Sequence, residues 1–173
     1  SGNTAKQQKL DIRVLLDQGT IPDSEPRYCT EATNPSFDKG ELAEKMVADA
    51  IAGIHAKQPQ TLSYEVHNTC RSIGARLSGE IARAHGADGL PDNCLTINLS
   101  GSAGQSFGVW NHKGLTLKLE GDANDYVGKG MAGGRVIIYP PKGSAFAAHQ
   151  TTVIGNTCLY GATGGRLNAS GTA

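Results

Sequence analysis

The chain has 173 residues, enough for one domain with a real core, and its 16 basic and 16 acidic side chains leave no formal net charge. That balance argues against a nucleic-acid or anionic-membrane binder, and no run of about 18 apolar residues exists to span a bilayer. The polar start, SGNTAKQQKLD, has no apolar signal region; without an initiator Met, Ser1-Gly2 reads as a cleaved-tag remnant and the chain as an excised domain.

In chain order, LDIRVLLDQ (10–18) predicts a short helix ended by Gly19. TIPDSEPRYCTEATNPS is rich in Pro and polar residues and predicts an irregular surface connector. Asp38 and Glu41 have capping-box spacing, and Leu42, Met46, Ala50 and Ile54 follow at helical intervals, which predicts a helix over 38–57. These elements form an N-terminal part, 1–60; the remainder is 61–173. Its first strand is TLSYEVHN, where Leu62, Tyr64 and Val66 alternate with polar residues. Ile73, Leu77 and Ile81 then recur every fourth residue and predict a helix over about 72–85, closed by Gly86. Arg71, Arg76 and Arg83 on this helix could form an anion site, although charge on one side of an amphipathic helix reads by default as a solvated or interdomain face.

Near residue 100 the composition changes. Residues 101–173 hold 15 of the 23 glycines but only 9 of the 32 charged side chains. From here the chain repeats itself. LTINLSGSAGQSFG (95–108) aligns without a gap on LTLKLEGDANDYVG (115–128), an offset of 20 residues. Self-similarity at such a period in a strand-rich unit predicts a solenoid, a right-handed parallel β-helix of about 20 residues per turn. Leu95, Ile97 and Leu99 should point inward and stack under Leu115, Leu117 and Leu119 one turn later. Gly101, Gly104, Gly108, Gly121, Gly128, Gly130, Gly133, Gly134, Gly155, Gly161, Gly164 and Gly165 are then structural glycines at corners, where positive φ penalises a Cβ. A looser copy pairs YVGKGMAGGRVIIYP with LYGATGGRLNAS, and PPKGSAFAAHQ between them reads as a projecting loop.

Two motifs suggest chemistry and are set aside. Gly128, Gly130 and Gly133 have the dinucleotide-binding spacing, but RVIIYPP follows where a helix is required, and no acidic residue stands about 20 positions on. GQSFG matches the nucleophile elbow around Ser106, yet it leads to another strand, and Ser106 aligns with Tyr126. Asp122, Asn124 and Asp125 could attract Ca²⁺ weakly but lack the remaining loop ligands. Cys29, Cys70, Cys94 and Cys158 are scattered, as are the five histidines, so no metal site is expected. The thiols read as reduced in a cytoplasmic protein, and the sequons at Asn98 and Asn168 as accidents.

TLSYEVHNTCRSIGARLSGEIARAHG, GSAGQSFGVWNHKGLTLKLEGDANDYVGKGMAGG and IGNTCLYGATGGRL resemble the C-terminal glycine-repeat (GXGXG) domain of the glutamate synthase large subunit, and look closest to the bacterial NADPH-dependent type. The resemblance also implies a right-handed parallel β-helix. It implies a parent oxidoreductase of glutamate biosynthesis and nitrogen assimilation, making glutamate from glutamine and 2-oxoglutarate. That enzyme uses FMN, a 3Fe-4S cluster, and NADPH or ferredoxin as reductant. The family's nucleophilic cysteine and cluster ligands have no counterpart in this sequence, so neither catalytic nor cofactor-binding residues carry over. The segment is therefore expected to be a scaffold holding amidotransferase and FMN synthase domains in fixed relation, in contact with them and with the small subunit. The chain stops midway through a repeat, at LNASGTA, which suggests self-association through the open end. Alternatives are a module resembling the C subunit of formylmethanofuran dehydrogenase and a stand-alone enzyme.

Overall fold

Apolar residues at two-residue spacing, repeated from strand to strand, organise the chain. The computed structural model describes residues 4–17, 19–33 and 39–173. The chain divides into two units, Ser1–Phe37 and Asp38–Ala173. The first contains two single-turn helices, α1 (Ala5–Gln8) and α2 (Arg13–Leu16), joined by turns and irregular chain. Asp11 accepts from the Arg13 amide and pairs with its guanidinium, and Val14, Leu15 and Leu16 are exposed, so α2 has no buried face. The helix predicted over 10–18 shrinks to these four residues, and Gln18 lies outside the described residues.

In the second unit α3 (Glu41–Ala56) begins after Gly40, with Glu41 and Glu44 in the first turn where the helix dipole favours negative charge. Asp38, half of the expected capping box, lies outside the described residues. Lys57 turns left-handed at the far end and donates its N–H to the carbonyls of Gly53 and Ile54. Met46, Val47, Ala50 and Ile54 form its buried stripe. After strand β1 (Gln60–Val66), α4 (Ala75–His85) packs on α3 with Leu77 and Ile81 buried. Strands β2 (Leu95–Ala103), β3 (Leu115–Ala123), β4 (Ala132–Tyr139) and β5 (Gly164–Ala169) follow.

The β-helix expected from the repeat is not what the chain builds. The unit is a small α/β domain with one five-stranded parallel sheet in the order β1-β2-β3-β4-β5. A solenoid of the expected kind requires two or three strands in every turn. Here α4 lies between β1 and β2, and residues 104–114 and 124–131 are turns containing left-handed residues, which cannot lie in a strand.

The 20-residue offset appears instead as strand register. Leu95, Ile97 and Leu99 pair with Leu115, Leu117 and Leu119, and all six are buried. The central row runs through every strand as Leu62, Ile97, Leu117, Val136 and Leu167. Strands of a parallel sheet lie about 4.8 Å apart, so these side chains stack directly upon one another. Phe107, Val127 and Met131 from the turns fill the core beside them.

The twelve glycines divide into two groups. Eight of them (101, 108, 121, 128, 130, 134, 161 and 165) have positive φ. The other four (104, 133, 155 and 164) have ordinary φ but lie against a neighbouring segment: a Cβ on Gly104 would sit 2.8 Å from the Cys70 carbonyl oxygen, and one on Gly133 would sit 2.7 Å from the Lys113 nitrogen. Gly121 is the tightest, since a Cβ there would overlap the Gly101 carbonyl oxygen one strand away.

Leu117→Ala should therefore cost about 2–5 kcal/mol in urea unfolding. Gly121→Ala should be at least as damaging, because the obstruction is backbone and cannot swing aside. Ser106→Ala should stay within about 0.5 kcal/mol.

Candidate functional site

The turns between strands form a column in which every second residue is left-handed. Ser106, Gly108 and Trp110 occupy one layer, Tyr126, Gly128 and Gly130 the next, and Thr157, Leu159 and Gly161 a third. Each layer hydrogen-bonds to its neighbours. The amide of Gly128 donates to Phe107 (2.8 Å), that of Gly130 to Tyr160 (2.8 Å), and that of Leu159 to Val127 (2.8 Å). In the motif VGKGMAGG the amides that a nucleotide phosphate would need are thus already engaged, and β4 follows where a binding fold requires a helix. Glycine enters the left-handed region almost without penalty, whereas residues with a Cβ pay about 1–2 kcal/mol. Ser106 shares this conformation with Tyr126 and Thr157, so its backbone belongs to the column rather than to a nucleophile elbow. Its hydroxyl has no hydrogen-bonded base among the described residues.

Several titratable groups are paired within the fold. Arg76, one of the three arginines singled out from sequence, donates to Glu80 and to Glu44 on α3 (3.0 Å); Arg83 donates to Glu80 (3.0 Å). Arg76 thereby fastens α4 to α3, Arg83 pairs within α4, and Arg71 precedes the helix. The Arg76 hydrogen bond holds the buried Glu80 carboxyl below its ordinary value near 4.5. Tyr64 donates its hydroxyl to Asp49 (2.8 Å); burial first, then that bond, pushes the phenol well above its usual range.

The acidic turn is likewise occupied internally. Asp122 accepts from Ser102 (2.7 Å), Asn124 donates to Asn68 (2.6 Å), and Asp125 accepts from the Asn156 amide (2.8 Å). Among the described residues no three His, Cys, Asp or Glu side chains converge. Burial raises the thiol pKa of both Cys94 and Cys158, the opposite of what an attacking thiolate needs.

Asn111 had no signal in the sequence. It is fully buried, its side-chain amide donates to the carbonyls of Leu115 (3.1 Å) and Gly133 (3.0 Å), and its main-chain carbonyl accepts from the amides of Ala132 and Gly133. One side chain thus ties the turn column to β3 and β4. Beside it opens a cleft of about 540 Å³ lined by His112, Lys113, Arg135, Arg166 and Asp92, with Gly133, Gly134 and Gly165 among the other lining residues. No local pattern marks these cations as a site, although Gly-Gly-Arg occurs twice, at 133–135 and 164–166. The loop around 140–150 is largely exposed, including Phe146, and its Lys142 amide donates to Glu120.

Residues 41–173 match the family described as GXGXG motif. The sequence is 43% identical to ferredoxin-dependent glutamate synthase 2 of Synechocystis sp. and 53% identical to the ferredoxin-dependent glutamate synthase of Antithamnion sp., in each case over 98% of this chain and 11% of the relative. It is 43% identical to the glutamate synthase [NADPH] large chain of Azospirillum brasilense, over 95% of this chain and 11% of the relative. The chain thus spans about a tenth of the length of these relatives.

Asn111→Ala should destabilise by about 2–4 kcal/mol, since two buried carbonyls lose their donors and a void is left. Because the native pKa of Glu80 is lowered, its contribution is fully present above the ordinary glutamate value and is lost as pH falls through the native one. Glu80→Gln should cost about 1–3 kcal/mol at pH 7, less than a wholly buried pair because Arg76 keeps Glu44, and the difference from wild type should shrink in calorimetry as the pH falls through the lowered native pKa.

Proposed function

The chain belongs to the GXGXG motif family and is similar over nearly its whole length to part of glutamate synthase large chains, and from that footing we propose that it is a structural domain of such an enzyme. In this reading it holds the amidotransferase and FMN-bearing synthase portions in fixed relation while they make L-glutamate from L-glutamine and 2-oxoglutarate in the cytoplasm. FMN and the cluster would supply the redox chemistry from outside this segment.

The observation that carries the reading is how the polar side chains are used. Arg76, Asp122, Asp125 and Asn111 are each spent on joining one element to the next. What remains is a rigid block of stacked rows with backbone packed on backbone, suited to fixing distances between neighbours. Among the described residues no strand pairs with the outer edge of β5, and a further strand of the large subunit or of a second copy would add there. The exposed loop at 140–150 is the other face offered to neighbouring domains or to a small subunit.

Incubation of the purified chain with FMN, NADPH, glutamine and 2-oxoglutarate tests this directly. No flavin should be retained on desalting and no glutamate formed; turnover or stoichiometric flavin retention would overturn the structural reading.

A further inference from the structure

The register that stacks the core also stacks the opposite face of the sheet. There the row runs Thr61, Thr96, Thr116, Arg135 and Arg166, so the last two strands place one guanidinium-bearing residue directly beside another. Like charges in adjacent register positions repel. Neither arginine has an ion pair or a side-chain hydrogen bond among the described residues, unlike Arg76 and Arg83 on α4. Both line the cleft, as does the exposed Lys113, which is also unpaired among the described residues. Asp92 is the one acidic side chain in the lining, leaving an excess of two positive charges before His112 is counted. The nearby Thr116 hydroxyl is already bonded to Asn93 (3.3 Å) and neutralises nothing.

From this geometry we propose that the cleft binds a small phosphoryl-bearing anion, held between Arg135 and Arg166 with Lys113 as the third cation. A guanidinium presents a planar fork of donors that matches two oxygens at once, and an ammonium acts as a point charge. One carboxylate can satisfy only one fork in that way. A phosphoryl group, with three terminal oxygens and up to two negative charges, can meet two forks and a lysine together. The volume of about 540 Å³ falls within the range of small-molecule sites. Gly133, Gly134 and Gly165 contribute no side chain to the lining, so the ligand is not held off from the sheet. The proposal is independent of the structural-domain reading and concerns this segment alone.

The test is amide chemical-shift mapping of the chain titrated with pyrophosphate, at constant ionic strength against chloride. Saturable shifts are expected at Gly133–Arg135, Gly165 and Arg166, with a Kd on the order of 1 mM or tighter. Arg135→Gln combined with Arg166→Gln should weaken binding at least about tenfold. In the absence of the anion that variant should melt no lower than wild type, since it removes a repulsion rather than a contact. Shifts that are absent, non-saturating or unchanged in the variant overturn the proposal. So does binding of a hexaglutamate peptide where pyrophosphate fails, which would assign the cations to an acidic protein segment.

Discussion

Register between parallel strands is the constraint on which the rest depends. Once Ile97 lies on Leu117 and Leu117 on Val136, every other position is fixed in kind, because side chains alternate faces with a period of two. A slip of one residue would turn Leu95, Leu115 and their neighbours to solvent and bury Thr96 and Lys118. The same register places Gly101 and Gly121 together, where only bare backbone fits, and it stacks arginine on arginine on the far side. Core packing, glycine placement and the charge pattern of the cleft are consequences of one alignment.

The turn column is the counterpart of the sheet. Its alternating left-handed residues direct amides up and down the stack, so backbone groups that a loop would leave to water are paired layer to layer. Five positions in the column, Ser106, Trp110, Tyr126, Thr157 and Leu159, adopt this conformation although they carry side chains. Stacking overrides their intrinsic preference. Asn111, at the junction of column and sheet, joins the two hydrogen-bond systems and makes them interdependent.

Much of this was legible in the chain. Leu95–Gly108 and Leu115–Gly128 share a fixed offset, and period-two alternation is a direct imprint of a half-buried strand, so the pairing of β2 with β3 could be read residue by residue. The apolar stripe of α3 was equally plain, because helical periodicity survives in Met46, Ala50 and Ile54. The connectors were misread. Nothing in the letters of Ser106, Trp110 or Tyr126 signals positive φ, so segments expected to hold further strands proved to be turns, and a solenoid was inferred where there is one sheet. Asn111 and the Arg76–Glu44 pair depend on partners brought together by the fold, and no local pattern marks them. The arginine pair was half visible: the doubled Gly-Gly-Arg was noticed as a repeat, but its meaning rests on β4 and β5 being neighbours.

Trp110 is the chain's single tryptophan, and it sits on the column rather than in the core, with its indole over Gly130 and 61% of its surface in water. Its emission is therefore a built-in optical reporter of one substructure. Fluorescence will register whether the loops remain layered, while circular dichroism follows strands and helices, and any gap between the two signals would measure how tightly these halves melt as one.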